Sequence, residues 1–173
     1  FITLKLAVTA DGFIARADGS SKWITGEAAR AHAHRERARS DAILVGGGTL
    51  RGDAPRLDVR LPGLEGRSPR RFVLTRGAAP EGWTALADAS GIAGIDAQYC
   101  LVEGGADVAE ALLAAGLVDR LLLYRAPVTF GEGLAAFRRP GPAGVPPGGH
   151  RADRRPLGSD TLEVYTPAEP QGA

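Results

Sequence analysis

The sequence predicts an α/β domain with a mainly parallel central sheet and an antiparallel C-terminal strand. Three observations carry this reading. Short apolar or β-branched runs alternate with alanine-rich stretches of helical spacing, the order that produces parallel strands with helical crossovers. Two of those runs pass straight into glycines and then into a helix, at residues 42–49 and 100–112. A last run, residues 161–166, reads as the final strand, and it is the one expected to run antiparallel in an otherwise mainly parallel sheet. With 173 residues, 44% of them hydrophobic and 24% charged, the chain has the size and balance of one domain with a sizeable core.

Taken in order, residues 2–9 (ITLKLAVT) read as a strand ending in a tight turn at Asp11-Gly12. Residues 25–41 form a helix rich in Ala, Arg and Glu, with Glu27 at the end where the helix dipole favours an anion. Residues 42–45, 71–75 and 99–103 read as buried strands. Alanine and leucine recur at helical spacing over residues 108–117, with Gly116 as the C-terminal stop. Residues 120–125 (RLLLYR) and 161–166 are the remaining strands. Residues 140–149 (PGPAGVPPGG) read as a loop. Residues 83–96 are short for a βαβ crossover, as if a segment were absent there.

Composition removes several function classes. A net charge of +1 provides no field to recruit nucleic acid or an anionic membrane. No apolar run approaches the roughly 20 residues of a membrane span, so a cytoplasmic location is expected. The single cysteine, Cys100, permits neither an internal disulfide nor a cysteine metal cage, and its mid-strand position suits a buried apolar filler. His32 and His34 lie two apart on a helix and point to different faces, so no metal site is expected. Arginine is abundant and lysine limited to Lys5 and Lys22, a bias of the whole composition that says little about any one site. With no methionine anywhere, the chain is expected to be a fragment of a longer one.

Neither a Rossmann G-x-G-x-x-G fingerprint nor a P-loop is present. Two strand-glycine-helix turns are: AILVGGGT and CLVEGGADVAEAL. In the second, Gly104 and Gly105 let the backbone approach a ligand, and the following helix offers unpaired N–H groups to a phosphate. The bland alternative is that both glycine runs only make tight turns. Lys5 is the anomaly of the first strand: alternation places it with Thr3 and Ala7, opposite Leu4 and Leu6. A cation on a central strand needs a partner or a cleft, and Glu103 at the end of another strand is the natural partner; a solvated edge-strand lysine is the alternative. A third cluster, Asp53, Arg56 and Arg60, combines an Asp-Ala-Pro turn with two arginines able to grip a phosphate, or is an ordinary solvated loop.

In sequence, KLAVTADGFIA, SKWITG, RSDAILVGGGTLRGDAPRLDVR and LVEGGADVAEALLAAGLVDRLLLYRAPV resemble the reductase domain of bifunctional riboflavin-biosynthesis deaminase/reductases, over about residues 1–130, and LGSDTLEVYTP fits that family's closing strand. Ala54 departs from the pattern, where an acidic residue often stands, and the middle segment is short. The resemblance implies a three-layer dihydrofolate-reductase-like fold over residues 1–173, with a deaminase domain expected upstream. It implies NADPH as cofactor and reduction of the ribose of 5-amino-6-(5-phosphoribosylamino)uracil to a ribityl chain. Val8, Trp23, Thr49, Asp53, Thr75 and Gly105, Ala106, Asp107, Val108, Ala109, Glu110 and Ala111 are then expected at the cofactor. Ser21, Arg37, Leu57, Arg60 and Glu103 are expected at a phosphorylated pyrimidine substrate, and Lys5, Asp53 and Glu103 around the reacting carbon. A homo-oligomer, a dimer in the simplest case, is expected, with no nucleic-acid or membrane partner. A related enzyme of this fold acting on another pyrimidine or a pterin is the competing reading, and a non-catalytic ligand-binding domain is the second.

Overall fold

The computed structural model describes residues 1–21, 24–138 and 149–167. Five parallel strand pairings and two antiparallel ones build one eight-stranded sheet, in the order β5-β4-β3-β6-β1-β7-β10-β9. The strands are β1 (Ile2–Val8), β3 (Ala42–Gly46), β4 (Arg70–Leu74), β5 (Trp83–Leu86), β6 (Cys100–Val102), β7 (Arg120–Arg125), β9 (Gly149–Leu157) and β10 (Asp160–Pro167). β2 (Phe13–Ala15) and β8 (Leu134–Ala135) pair separately as a small antiparallel sheet. The helices are α1 (Glu27–Ala38), α2 (Gly47–Asp53) and α3 (Ala106–Ala114).

The central strands are buried on both faces, and their sequences say why. All five residues of β3 are buried, as are the three of β6, because helices cover a parallel sheet on both sides. β1 divides its side chains by alternation. Leu4, Leu6 and Val8 enter the core beneath α3, with Val108, Ala109 and Leu112. On the opposite face Ala7 packs with Ala29 of α1 and with Leu122, Tyr124 and Leu162. Thr3 and Lys5 share that second face by the same alternation, so Lys5 rises on the side of α1 from a strand in the middle of the sheet. Leu112 is fully buried, and its truncation to alanine would cost about 2–5 kcal/mol. α3 stops where Gly116 turns left-handed and the N–H groups of Gly116 and Leu117 bond back to Leu113 and Leu112.

The expected fold class holds: the sheet is mainly parallel, and β10 runs antiparallel to β7. Three features differ from the expectation. Residues 83–96 hold β5 as an edge strand, and 3-10 turns over Ala89–Gly94 complete the crossover in place of a helix. Asp88 caps those turns by accepting the N–H groups of Ser90 and Gly91. β9, GHRADRRPL, escapes an apolar-run reading because it is an edge strand with mostly exposed polar residues. It begins at Gly149, the last residue of the expected loop; the rest of that loop, residues 140–148, lies outside the described residues. β2 and β8 are too short to carry a periodic signal.

Candidate active site

Parallel pairing of β1 with β6 and of β6 with β3 aligns the C-terminal ends of the central strands. There a cleft of about 550 Å³ opens between α1, the glycine turns leading into α2 and α3, and the β2–β8 flap. Leu4 pairs with Val102, so Glu103, one residue further on, comes level with Lys5. Lys5 Nζ lies 3.7 Å from Glu103 Oε2. Arg37, from α1, meets the same carboxylate in a two-point fork, Nε to Oε1 at 2.6 Å and Nη2 to Oε2 at 3.0 Å. Its Nη1 donates to the carbonyl of Asp58 at 3.1 Å. Burial would push the Glu103 carboxyl up, but Lys5 and the Arg37 fork outweigh it and hold the group at about 2. Glu103 is therefore an anion at any physiological pH, and it fixes both cations.

Lys5 has a second neighbour. Its ammonium stands 5.8 Å from the centre of the Tyr124 ring, within cation–π range. Tyr124 is 1% exposed and its hydroxyl is 2.7 Å from His32 Nδ1. Burial, with the carboxylates of Glu36 and Glu103 nearby, raises the Tyr124 phenol, and burial lowers His32, so both rings stay neutral near pH 7. Cys100, pushed up to about 11 by burial, stays a protonated thiol.

The cleft's other wall is backbone. A Cβ at Gly104 would stand 2.7 Å from Cβ of Val108, so only glycine lets α3 start this close to its strand. Gly48 has open space where a Cβ would be, and at Gly105 the nearest atom is Thr49 Oγ1 at 4.0 Å, so a ligand can lie against this backbone. The first-turn N–H groups of α3 face the same space, a donor set suited to a phosphate. The flap contributes Ile14, Ala15 and Leu134. Asp11 ties the flap down: its carboxylate accepts the Thr9 hydroxyl and the N–H groups of Phe130 and Gly131.

Of the residues singled out from the sequence, Lys5, Ser21, Arg37, Thr49, Asp53, Leu57, Glu103, Gly105, Ala106, Asp107 and Val108 line this cleft. Asp53, at the end of α2, is exposed and forms no ion pair among the described residues. Arg37 is not a free phosphate ligand here, since Glu103 and Asp58 take all three of its nitrogens. Val8 and Ala109 are turned into the core at 1% and 0% exposure. Glu110 and Ala111 lie on the outer side of α3, where Glu110 pairs with Arg138 at 2.8 Å. A helix presents one face to one place, so a run of seven consecutive contacts reduces to its first turn. Thr75 follows β4, outside the lining, where its hydroxyl accepts the Gly77 N–H. Arg60 is also outside it, half exposed, with Nη1 3.2 Å from Asp58 Oδ1 and its N–H bonded to His34 Nδ1. Trp23 lies outside the described residues. Sequence reasoning missed Tyr124, His32 and Asp58. Only β7 register, which puts Leu122 opposite Lys5 and Tyr124 diagonal to it, brings the first of these in.

The model of the RibD C-terminal domain matches residues 1–90 and 94–146. The chain belongs to the RibD C-terminal domain family. Within that family, the riboflavin biosynthesis protein RibD of Corynebacterium ammoniagenes is 40% identical over 156 residues, 80% of this chain and 46% of that protein. RibD of Mycobacterium tuberculosis is 39% identical over 150 residues, 78% of this chain and 44% of that protein. The chain thus spans about half the length of the curated relatives it matches. A crystal structure of a diaminohydroxyphosphoribosylaminopyrimidine deaminase/5-amino-6-(5-phosphoribosylamino)uracil reductase from Thermotoga maritima superposes with a TM-score of 0.81. It is 28% identical and covers 97% of this chain and 56% of its own. Acinetobacter baumannii RibD gives a TM-score of 0.82 at 26% identity, over 98% of this chain and 58% of its own. No helix among the described residues is long and apolar enough to cross a membrane.

Proposed function

We propose that this chain is an NADPH-dependent reductase that converts the ribose of 5-amino-6-(5-phosphoribosylamino)uracil into a ribityl chain in riboflavin biosynthesis. One observation supports this above the others: a charged triad, Lys5–Glu103–Arg37, stands at the strand ends of a cleft whose opposite wall is a glycine turn and a helix N-terminus. Polar groups for a reacting sugar and a cradle for a cofactor diphosphate thereby face one space. The names of the relatives and of the Thermotoga maritima structure agree with the reading.

The donor set fits a dinucleotide. Gly104, Gly105 and the first turn of α3 would hold its diphosphate, with Thr49 beside them. When bound, NADPH supplies the hydride for C1′ of the opened ribose. Lys5 Nζ donates a hydrogen bond to the atom where charge develops as C1′ is reduced, and Glu103 keeps that ammonium aimed and ionised. Asp53 stands on the other side of the cleft as the second polar group. Ile14 and Leu134 of the flap keep water from the reacting carbon. Arg60, outside the lining and held by Asp58, whose carbonyl also accepts from Arg37, is the residue that takes the 5′-phosphate. A cytoplasmic homo-oligomer completes the reading.

The test is turnover. Purified protein is mixed with the phosphoribosylamino substrate, and loss of reduced nicotinamide is followed with NADPH and with NADH. NADPH is expected to bind at least about 10-fold more tightly, or about 1.4 kcal/mol. No oxidation with this substrate, alongside oxidation with a pterin, would assign the chain to a different reductase of the fold. Equal affinity for the two nicotinamides would overturn the choice of cofactor.

A further inference from the structure

A second cavity of about 550 Å³ shares Leu57 with the cleft as a common wall. Arg56, Asp58, Ser68, Arg71 and Gly82 also line it. Its character is set by Arg71. Four arginines are half-buried among the described residues: Arg37, Arg71, Arg120 and Arg125. Three of them meet a carboxylate, with Arg37 on Glu103, Arg120 on Glu36 and Arg125 on Glu163. Arg71 makes no hydrogen bond or ion pair among the described residues; its guanidinium lies 5.5 Å from the centre of the Trp83 ring. Gly82 makes room for it: that residue is left-handed, φ +73, and a Cβ there would stand 3.1 Å from Arg71 Nη2. The fold thus withdraws a guanidinium partly from water, stacks it on an aromatic face, and leaves its donors unclaimed. None of those donors is fully buried, so they are open to water or to a ligand's acceptor.

Arg56 adds a second fork to the same cavity. It touches Asp58 Oδ2 at 2.7 Å, but Asp58 is shared with Arg60, and Arg56 is otherwise exposed. Ser68 is already satisfied, donating to the Glu65 carbonyl and accepting the Val59 N–H, so it holds the wall in place and offers no free donor. The segment between the two cavities carries Ala54 and Leu57 at φ 40 and 55, the two non-glycine residues with positive φ among those described. Strain of this kind concentrates around ligand sites.

We propose that this second cavity binds the phosphate group of a small phosphorylated ligand, gripped by the Arg71 and Arg56 guanidiniums. Two planar forks around one acceptor-rich, dianionic group match in geometry as well as charge. The site is separate from the cleft and does not depend on the reductase reading.

Trp83, beneath Arg71, makes the site readable. The sequence has two tryptophans, so a Trp23→Phe background leaves Trp83 as the only reporter. Inorganic pyrophosphate, inorganic phosphate and ribose 5-phosphate are titrated separately, and the tightest of them tells a free phosphate from a sugar phosphate. A saturable change in Trp83 emission at millimolar concentration is expected. Arg71→Met should weaken it at least about 10-fold, the lower end for a charge-assisted bond, while Arg151→Ala, on the exposed edge strand β9, should leave it unchanged. Circular dichroism and a thermal melt establish that the variants are folded. Should Arg71→Met fail to fold, Arg56→Met, altering a residue 77% exposed, takes its place with the same expected loss. No saturable change in the parent, or titrations of the arginine variant indistinguishable from the parent, would overturn the proposal.

Discussion

Replacing Glu103 by glutamine tests the centre of the site through stability rather than turnover. In the native protein the carboxylate answers Lys5 at 3.7 Å and the Arg37 fork at 2.6 and 3.0 Å. Its pKa falls from an ordinary 4.5 to about 2, a difference of about 2.5 units. At 1.36 kcal/mol per unit, ionised Glu103 contributes about 3 kcal/mol at pH 7. The folded-state value is depressed, so the contribution is complete above the unfolded value and fades as pH falls through the folded one. It should shrink to about 1 kcal/mol at pH 3 and vanish at still lower pH. Glutamine keeps the shape and removes the charge, leaving Lys5 and Arg37 facing each other. Glu103→Gln should therefore lower the melting temperature by about 6–12 °C at pH 7, given about 2–4 °C per kcal/mol for a chain of this size. Melts of both proteins at pH 7 and pH 3 decide it, with the gap narrowing by more than half at the lower pH. A variant as stable as the parent at pH 7, or a gap that does not change with pH, would refute the reasoning.

Three further outcomes are expected. Lys5→Met keeps the apolar stem over Tyr124 and should fold, but kcat should drop about 10²–10³-fold with NADPH binding within a few-fold; a stable variant with near-parental kcat removes Lys5 from the chemistry. Arg60→Ala should raise KM for the phosphorylated substrate about 10- to 150-fold and leave NADPH affinity nearly untouched. The reverse pattern would mean that the two ligands have been placed the wrong way round. Exhaustive chelation should leave reductase activity intact, since no group of His, Cys, Asp or Glu among the described residues is arranged to hold a metal; loss restored by zinc would contradict this.

The fold class, most central strands and the pairing of Lys5 with Glu103 were legible in the sequence because each has a local or periodic cause. Apolar runs such as AILV mark strands buried on both faces, and alternation alone puts Lys5 opposite Leu4 and Leu6. Glycines at the ends of such runs mark the turns where the chain passes from strand to helix. β9 left no such mark, because an edge strand can be polar throughout. Only the tertiary structure decided which groups share a site. Arg37 lies 66 residues from Glu103 in sequence, and its capture by that carboxylate follows from how α1 crosses the strand ends. Tyr124 reaches Lys5 through the register of β7 on β1, which no one-strand pattern encodes. The helical face of α3 likewise sorted residues 105–111 into cleft, core and solvent. Strand identity depends on neighbours along the chain, whereas a site depends on register and helix placement, and those are set by packing across the whole sheet.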